Sequence, residues 1–197
     1  MRGYLVNHQS KLWDGIRADV YRNDPYVWAN PYLWTFCHTN QRPRVEAGMT
    51  ILWMSKDEGG KYVCDLVFVV EEILPFSVAL SRFRTRDVGL ALDHFLPGIE
   101  YHFDYVRQPY ARTFVADMSK SFIPQPAVEL EQDIDSVRKK ERPGCKPLRE
   151  AWGRQTTPLV INDLNPLAEA VTSRALQKIR GALPAGDWIP GQGPALK

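Results

Sequence analysis

Cysteine is scarce in this sequence. Cys37, Cys64 and Cys145 are the only three among 197 residues, odd in number, far apart and never arranged as a CxxC pair. That fits a chain kept in a reducing compartment better than a disulfide framework. Long hydrophobic runs are missing too: no stretch approaches the ~20 apolar residues of a membrane-spanning helix. The opening MRGYLVNHQSK also lacks the extended apolar core of a secretory signal. A cytoplasmic protein without a membrane segment is therefore expected. Net charge is small, +2 from 25 Lys and Arg against 23 Asp and Glu. This is too little for attachment to nucleic acid by bulk charge, so any phosphate-binding surface has to be local. Also missing are a GxxxxGK[ST] loop, a GxGxxG turn, a GxSxG elbow, an HExxH helix and the HxE…PCxxC pattern of the zinc deaminases. These absences lean away from an enzyme without excluding one, and no cofactor or metal is implied. There is no internal repeat and no low-complexity tract.

What the sequence does contain is a clear β-unit from Arg42 to Ile73, RPRVEAGMTILWMSKDEGGKYVCDLVFVVEEI. Met49 to Ser55 and Tyr62 to Val70 are rich in β-branched and aromatic residues, and the Lys-Asp-Glu-Gly-Gly loop between them can supply the positive φ of a hairpin turn. Two paired antiparallel strands are expected. The second is apolar at nearly every position from Leu66 to Val70, the pattern of a strand covered on both faces, which places it at the centre of a closed or sandwiched sheet. Gly48 lets the chain turn into the first strand. A hydrophobic content of 44% with 24% charged residues is that of a globular chain, long enough for one well-packed domain.

Ahead of this unit, Gly3 to Val6 reads as a short strand. A dense group of aromatics follows: Trp13, Tyr21, Tyr26, Trp28, Tyr32, Trp34 and Phe36. Asn23 to Pro31 reads as loop by its two prolines, and Leu33 to Cys37 as a strand entering the hairpin. Aromatics on irregular backbone at the mouth of a barrel can form a stacking slot for a nucleobase. Large rings also close off small cores, and both readings stand. Cys37 and His38 are neighbours on a strand and point to opposite faces, so they make a poor nucleophile and base.

After the unit, Arg82, Arg84 and Arg86 alternate with Phe83 and Thr85. On an extended chain their guanidinium groups share one side about 7 Å apart, close to the spacing of phosphates on one strand. On a helix they would fan out, and charges of this kind also protect edge strands. Val88 to Phe95 is expected as a short helix and Ile99 to Val106 as a half-buried strand, with His102 and Asp104 on its polar face. Those two residues, or His8, would be the acid-base groups of an alternative reading as a small enzyme acting on a nucleotide or polar metabolite. Arg112 to Ala116 is one more expected strand.

From Pro124 the composition turns helical. Val128 to Lys140 carries Val128, Leu130, Ile134 and Val137 at helical spacing, with acidic residues early and basic residues late. Asn165-Pro166 is an N-cap followed by Pro at the first helical position. Leu167, Ala168, Val171, Ala175 and Ile179 then recur until Gly181. The tail from Pro184 is expected to be ordered only where Trp188 docks. The expected division is a β-core over residues 1–123 and a helical extension over 124–197, packed as one domain.

Asn30, Pro31, Cys37, Arg42, Arg44, Ala47 and Gly48, in ANPYLWTFCHTNQRPRVEAGMTILWMS, resemble the pattern of the nucleotide-modification-associated domains. More broadly, the glycine, apolar strand and crossing strand resemble the PUA-like superfamily of EVE, ASCH and YTH domains. Met49 stands where those domains carry an acidic residue, and their Lys-Pro after the cysteine is absent. The resemblance implies an α+β fold, a small twisted and mainly antiparallel β-barrel with flanking helices. It also implies recognition of a nucleic acid or modified nucleotide, with a base stacked in an aromatic slot and the backbone held by arginines. The candidates for stacking are Trp13, Trp28, Trp34 and Trp53, and those for base-edge hydrogen bonds are His8, Asn30 and Asn40. Arg42, Arg44, Arg82, Arg84 and Arg86 are the candidates for phosphate contact. A third reading is a protein-interaction module, a homodimer burying Trp28 and Trp34.

Overall fold

The computed structural model describes residues 1–7, 32–36, 44–82, 112–152, 158–180, 188–189 and 193–194. The strands in chain order are β1 (Gly3–Asn7), β2 (Leu33–Phe36), β3 (Thr50–Lys56), β4 (Tyr62–Pro75), β5 (Arg112–Ala116), β6 (Ile123–Gln125), β7 (Val128–Glu129), β8 (Leu159–Ile161), β9 (Gln177–Ile179), β10 (Trp188–Ile189) and β11 (Gly193–Pro194). The helices are α1 (Phe76–Arg82), α2 (Glu131–Glu141), α3 (Leu148–Trp152) and α4 (Asn165–Arg174).

The strongest pattern in the sequence becomes the middle of the main sheet. β3 and β4 pair antiparallel. In the turn between them Gly60 takes φ +74°, and the Asp57 N–H donates to the Lys61 carbonyl at 3.0 Å. Gly48, at φ +85°, turns the chain into β3, and its N–H donates to the Val70 carbonyl at 2.7 Å. Only a residue without Cβ adopts such angles at low cost.

β4 is covered on both faces, and its apolar run stays in register because of a bulge. Trp53 pairs with Leu66 but Met54 pairs with Cys64, so Asp65 is the extra residue. Cys64 and Val67, three apart, therefore face the same way. Leu5, Leu52, Met54, Tyr62, Cys64 and Val67 pack beneath the helical layer, against Ile134 and Val137 of α2, Leu148 and Trp152 of α3, and Leu167 and Val171 of α4. On the opposite face Tyr4, Val6, Ile51, Trp53, Leu66, Phe68 and Val70 pack with Tyr32, Trp34 and Phe114.

The sheet is mixed, and the described strands do not close into the expected barrel. Its order is β2-β5-β4-β3-β1-β8, with β7 beside β4, so β2 and β8 stand at the two edges. β1 runs parallel to β3 and antiparallel to β8. Closure would need β2 to pair with β8. A strand buried on both faces has the same pattern in a layered sheet as in a barrel, which is why the apolar run alone did not separate the two.

Other expectations shift at element ends. In the stretch whose arginines would align only on an extended chain, residues 76–82 form α1, so Arg82 ends a helix. Val128 and Glu129 join β4 as β7, and α2 starts only at Glu131. α4 begins after Leu164 rather than after Asn165, with Asp163 Oδ1 accepting from the Asn165 N–H at 3.2 Å. It ends at Arg174, because Gln177–Ile179 pair with β6. Ala175 and Ile179 share the helical spacing by coincidence. Trp188–Ile189 pair with Gly193–Pro194. The expected helix at 88–95 and strand at 99–106 lie outside the described residues.

Candidate functional site

Of the expected stacking residues, Trp34 and Trp53 lie in the core, 3% and 1% exposed. Their rings meet edge to face, centroids 5.4 Å apart at 83°, and Trp34 also lies 5.1 Å from Phe114. The alternation of β3 turns Trp53 inward together with Ile51, and no face of either indole is open to a base in this structure. Trp13, Trp28, His8, Asn30, Asn40, Arg42, Arg84 and Arg86 lie outside the described residues, as do His102 and Asp104. Arg82 is exposed and ion-paired with Glu72.

Arg44 is also exposed, and its setting is different. It sits just before the Gly48 turn, at the end of the sheet where β1 and β3 begin. The buried Tyr4 phenol takes a hydrogen bond from the Arg44 backbone. Burial pushes that phenol above its ordinary pKa; the Arg2 charge, the Arg44 backbone hydrogen bond and the Arg44 charge oppose the shift, and the Glu46 carboxylate adds to it, so two guanidinium groups and one carboxylate act on the same ring. Arg2 was not evident from the sequence, because its place at this end of the sheet follows from the pairing of Gly3 with Thr50 across β1 and β3.

Some of the other described cations are held by carboxylates, and others, Lys139, Lys140, Arg142 and Lys146 among them, are not. Lys61 pairs with Glu129 at 2.8 Å, Lys120 with Asp117 at 2.7 Å, Arg174 with Asp133 at 2.6 Å, and Arg149 with Glu131. Among the described residues, Arg2 and Arg44 have no carboxylate within ion-pair distance. An exposed cation already held by a carboxylate must give up that contact to take a phosphate; an unpaired one need not.

Other chemistry finds little support among the described residues. Cys64 is fully buried and its thiol is pushed well above the usual range, first by burial and then by the nearby Asp65 charge, so it stays protonated. No group of three His, Cys, Asp or Glu side chains among them is placed to hold a metal ion, and none of their helices is long and apolar enough to cross a membrane. A cleft of about 590 Å³ lies between β7 and α2, lined by Lys61, Pro126, Glu129, Glu131, Asp133 and Arg174 among others. Its carboxylates are matched by cations and no aromatic lines it, so it suits neither an anion nor a stacked base.

The turn after β5 is held by one carboxylate. Asp117 accepts from the Ser119 backbone and hydroxyl and from Lys120. The Lys120 and Ser119 side-chain hydrogen bonds lower its pKa from 3.8 to about 2. A depressed carboxylate stabilises the fold above its unfolded pKa, and that contribution fades as pH falls through the folded value. Asp117→Asn should therefore lower the melting temperature slightly at neutral pH, with the difference from wild type vanishing as pH falls from about 4 toward 2. Thermal unfolding across that range measures it, and a deficit that persists at the acid end would contradict it.

No protein-family model matches this chain, and no curated protein matches it. Among solved structures it is similar to the crystal structure of ASCH from Zymomonas mobilis, at 12% identity and a TM-score of 0.45, over 89% of this chain and 96% of that one. A mutant form of the same Zymomonas mobilis protein is similar at 11% identity and a TM-score of 0.41, over 87% and 97%. Likeness at this distance carries no activity from one chain to the other.

Proposed function

We propose that this chain is a nucleic-acid or modified-nucleotide binding module that takes the phosphate backbone against the end of the sheet carrying Arg2 and Arg44. The observation that carries the reading is the pair of exposed arginines beside one buried tyrosine, neither of them in an ion pair with a described carboxylate. With Trp34 and Trp53 in the core, base stacking falls to Trp13 and Trp28, edge recognition to His8, Asn30 and Asn40, and further phosphate contact to Arg42, Arg84 and Arg86. A module of this kind would sort plain from modified bases by the fit of the stacked ring and the hydrogen bonds at its edge.

Titration of intrinsic tryptophan fluorescence with single-stranded and duplex oligonucleotides, plain and modified, at low and moderate salt, tests the reading. Saturable quenching that weakens with salt is the expected result. The Arg2→Ala/Arg44→Ala variant should bind less tightly, and the slope of log affinity against log salt should shrink by about 1.4 for two lost single-strand contacts. Wild-type affinity and slope in that variant would remove this end of the sheet from the interface. No response of the wild type to any oligonucleotide would overturn the module itself and favour a small-molecule enzyme built on His102 and Asp104.

A further inference from the structure

We infer that the nucleic-acid surface continues past Arg2 onto the helical layer, where Lys139, Lys140, Arg142 and Lys146 hold a second stretch of the same single strand; this rests on the reading given above. The placement follows from a chain of contacts. Glu141, at the end of α2, accepts from the Asp163 N–H at 2.8 Å and from Asn162 Nδ2 at 3.2 Å. Asp163 Oδ1 holds the Met1 ammonium at 3.0 Å, and the Leu164 N–H donates to the Met1 carbonyl at 2.7 Å. Arg2 is the next residue. The C-terminal end of α2 is thereby tied to the end of the sheet that carries Arg2 and Arg44.

Lys139, Lys140, Arg142 and Lys146 are all exposed, and none has a carboxylate within ion-pair distance among the described residues. Three of the nearby carboxylates are occupied. Glu141 takes its hydrogen bonds from backbone and amide donors, Asp163 takes the chain terminus, and Asp135 accepts from the Leu148 N–H at 2.7 Å with Arg138 at 3.9 Å. Cations in the last turn of a helix complement its dipole, which accounts for Lys139 and Lys140 on structural grounds alone. It does not account for Arg142 and Lys146. They lie in and after the turn that follows α2, where Gly144 at φ +79° reverses the chain and the Cys145 N–H donates to the Arg142 carbonyl.

The occupant that fits is a phosphate backbone. The cluster is joined to the strand that carries Arg2 through Met1, and although Met1 is itself exposed, residues 139–146 include no exposed large apolar side chain of the kind a membrane-inserting patch would need. Two groups of cations on one end of the molecule, one before the sheet and one after the helix, suit a ligand long enough to touch both. Affinity should then depend on strand length, short strands reaching the first group only.

The test compares Lys139→Ala/Lys140→Ala/Arg142→Ala with Arg2→Ala/Arg44→Ala in the full chain, using single strands of about 4 and about 16 nucleotides. The triple variant should bind the short strand like wild type. It should bind the long one roughly tenfold more weakly or worse, with a salt slope smaller by about 2. The charge-conserving Lys139→Arg/Lys140→Arg/Arg142→Lys variant should keep wild-type affinity for the long strand, which separates lost charge from damaged structure. If the triple variant binds the long strand like wild type while the double variant is weakened, the extension is wrong and the module stands. If wild type binds no strand but binds anionic vesicles or an acidic peptide through these lysines, both are overturned.

Discussion

Trp53→Ala is expected to lower the free energy of unfolding by about 3–5 kcal/mol, the range for removing a large aromatic from a core that cannot collapse around the void. The indole is 1% exposed, sits on the central hairpin and meets Trp34 edge to face at 5.4 Å. Its neighbours Ile51 and Leu66 come from paired strands whose register the whole sheet shares, so they have little freedom to close in. Trp53→Phe keeps an aromatic body and should lose much less. A denaturant titration of the three proteins measures the ordering. Were Trp53 the face of an open stacking slot, the alanine variant would keep its stability within roughly half a kcal/mol and lose oligonucleotide binding instead. The two outcomes are opposite, so the experiment assigns this tryptophan to core or to site.

Gly3→Ala is the second large effect, expected at about 1–3 kcal/mol. Gly3 opens β1 opposite Thr50 in the parallel pair. A Cβ there would lie 2.4 Å from the Thr50 carbonyl oxygen and 2.6 Å from Leu164 Cδ2. A backbone oxygen inside a ladder cannot swing aside, so the start of β1 has to move. That motion pulls on the Met1 carbonyl that receives the Leu164 N–H and on the ammonium held by Asp163. Oligonucleotide binding should weaken together with stability, since Arg2 moves with the strand. Gly59→Ala is the matched control: its Cβ would approach only the Asp57 carboxylate, nearest at 3.3 Å. A lower denaturant midpoint at unchanged slope in Gly3→Ala alone is the expected result; equal midpoints for both variants would mean the β1 end yields freely.

Local patterning was enough for several elements. The hairpin of β3 and β4, the Gly48 turn, the short strands at Gly3, Leu33 and Arg112, and the two longer helices all follow from apolar periodicity and from glycine where φ is positive. These are properties of a few adjacent residues, so they can be read along the chain. Periodicity also shows which faces are apolar, but it does not name what covers them. That β1 lies parallel to β3, that β8 caps the sheet edge instead of a closing β2, and that α4 gives way to β9 at Gln177 depend on partners far off in sequence. The same limit applies to function. Trp53 has the composition of a stacking residue and the position of a core residue, and only the strand register separates the two. Arg2 and the lysines after Arg138 look like ordinary solvated charges until the contacts among Met1, Asp163 and Glu141 bring them to one end of the molecule. Charge type is written in the chain, whereas which charges stand together, and which are already neutralised, depends on long-range packing.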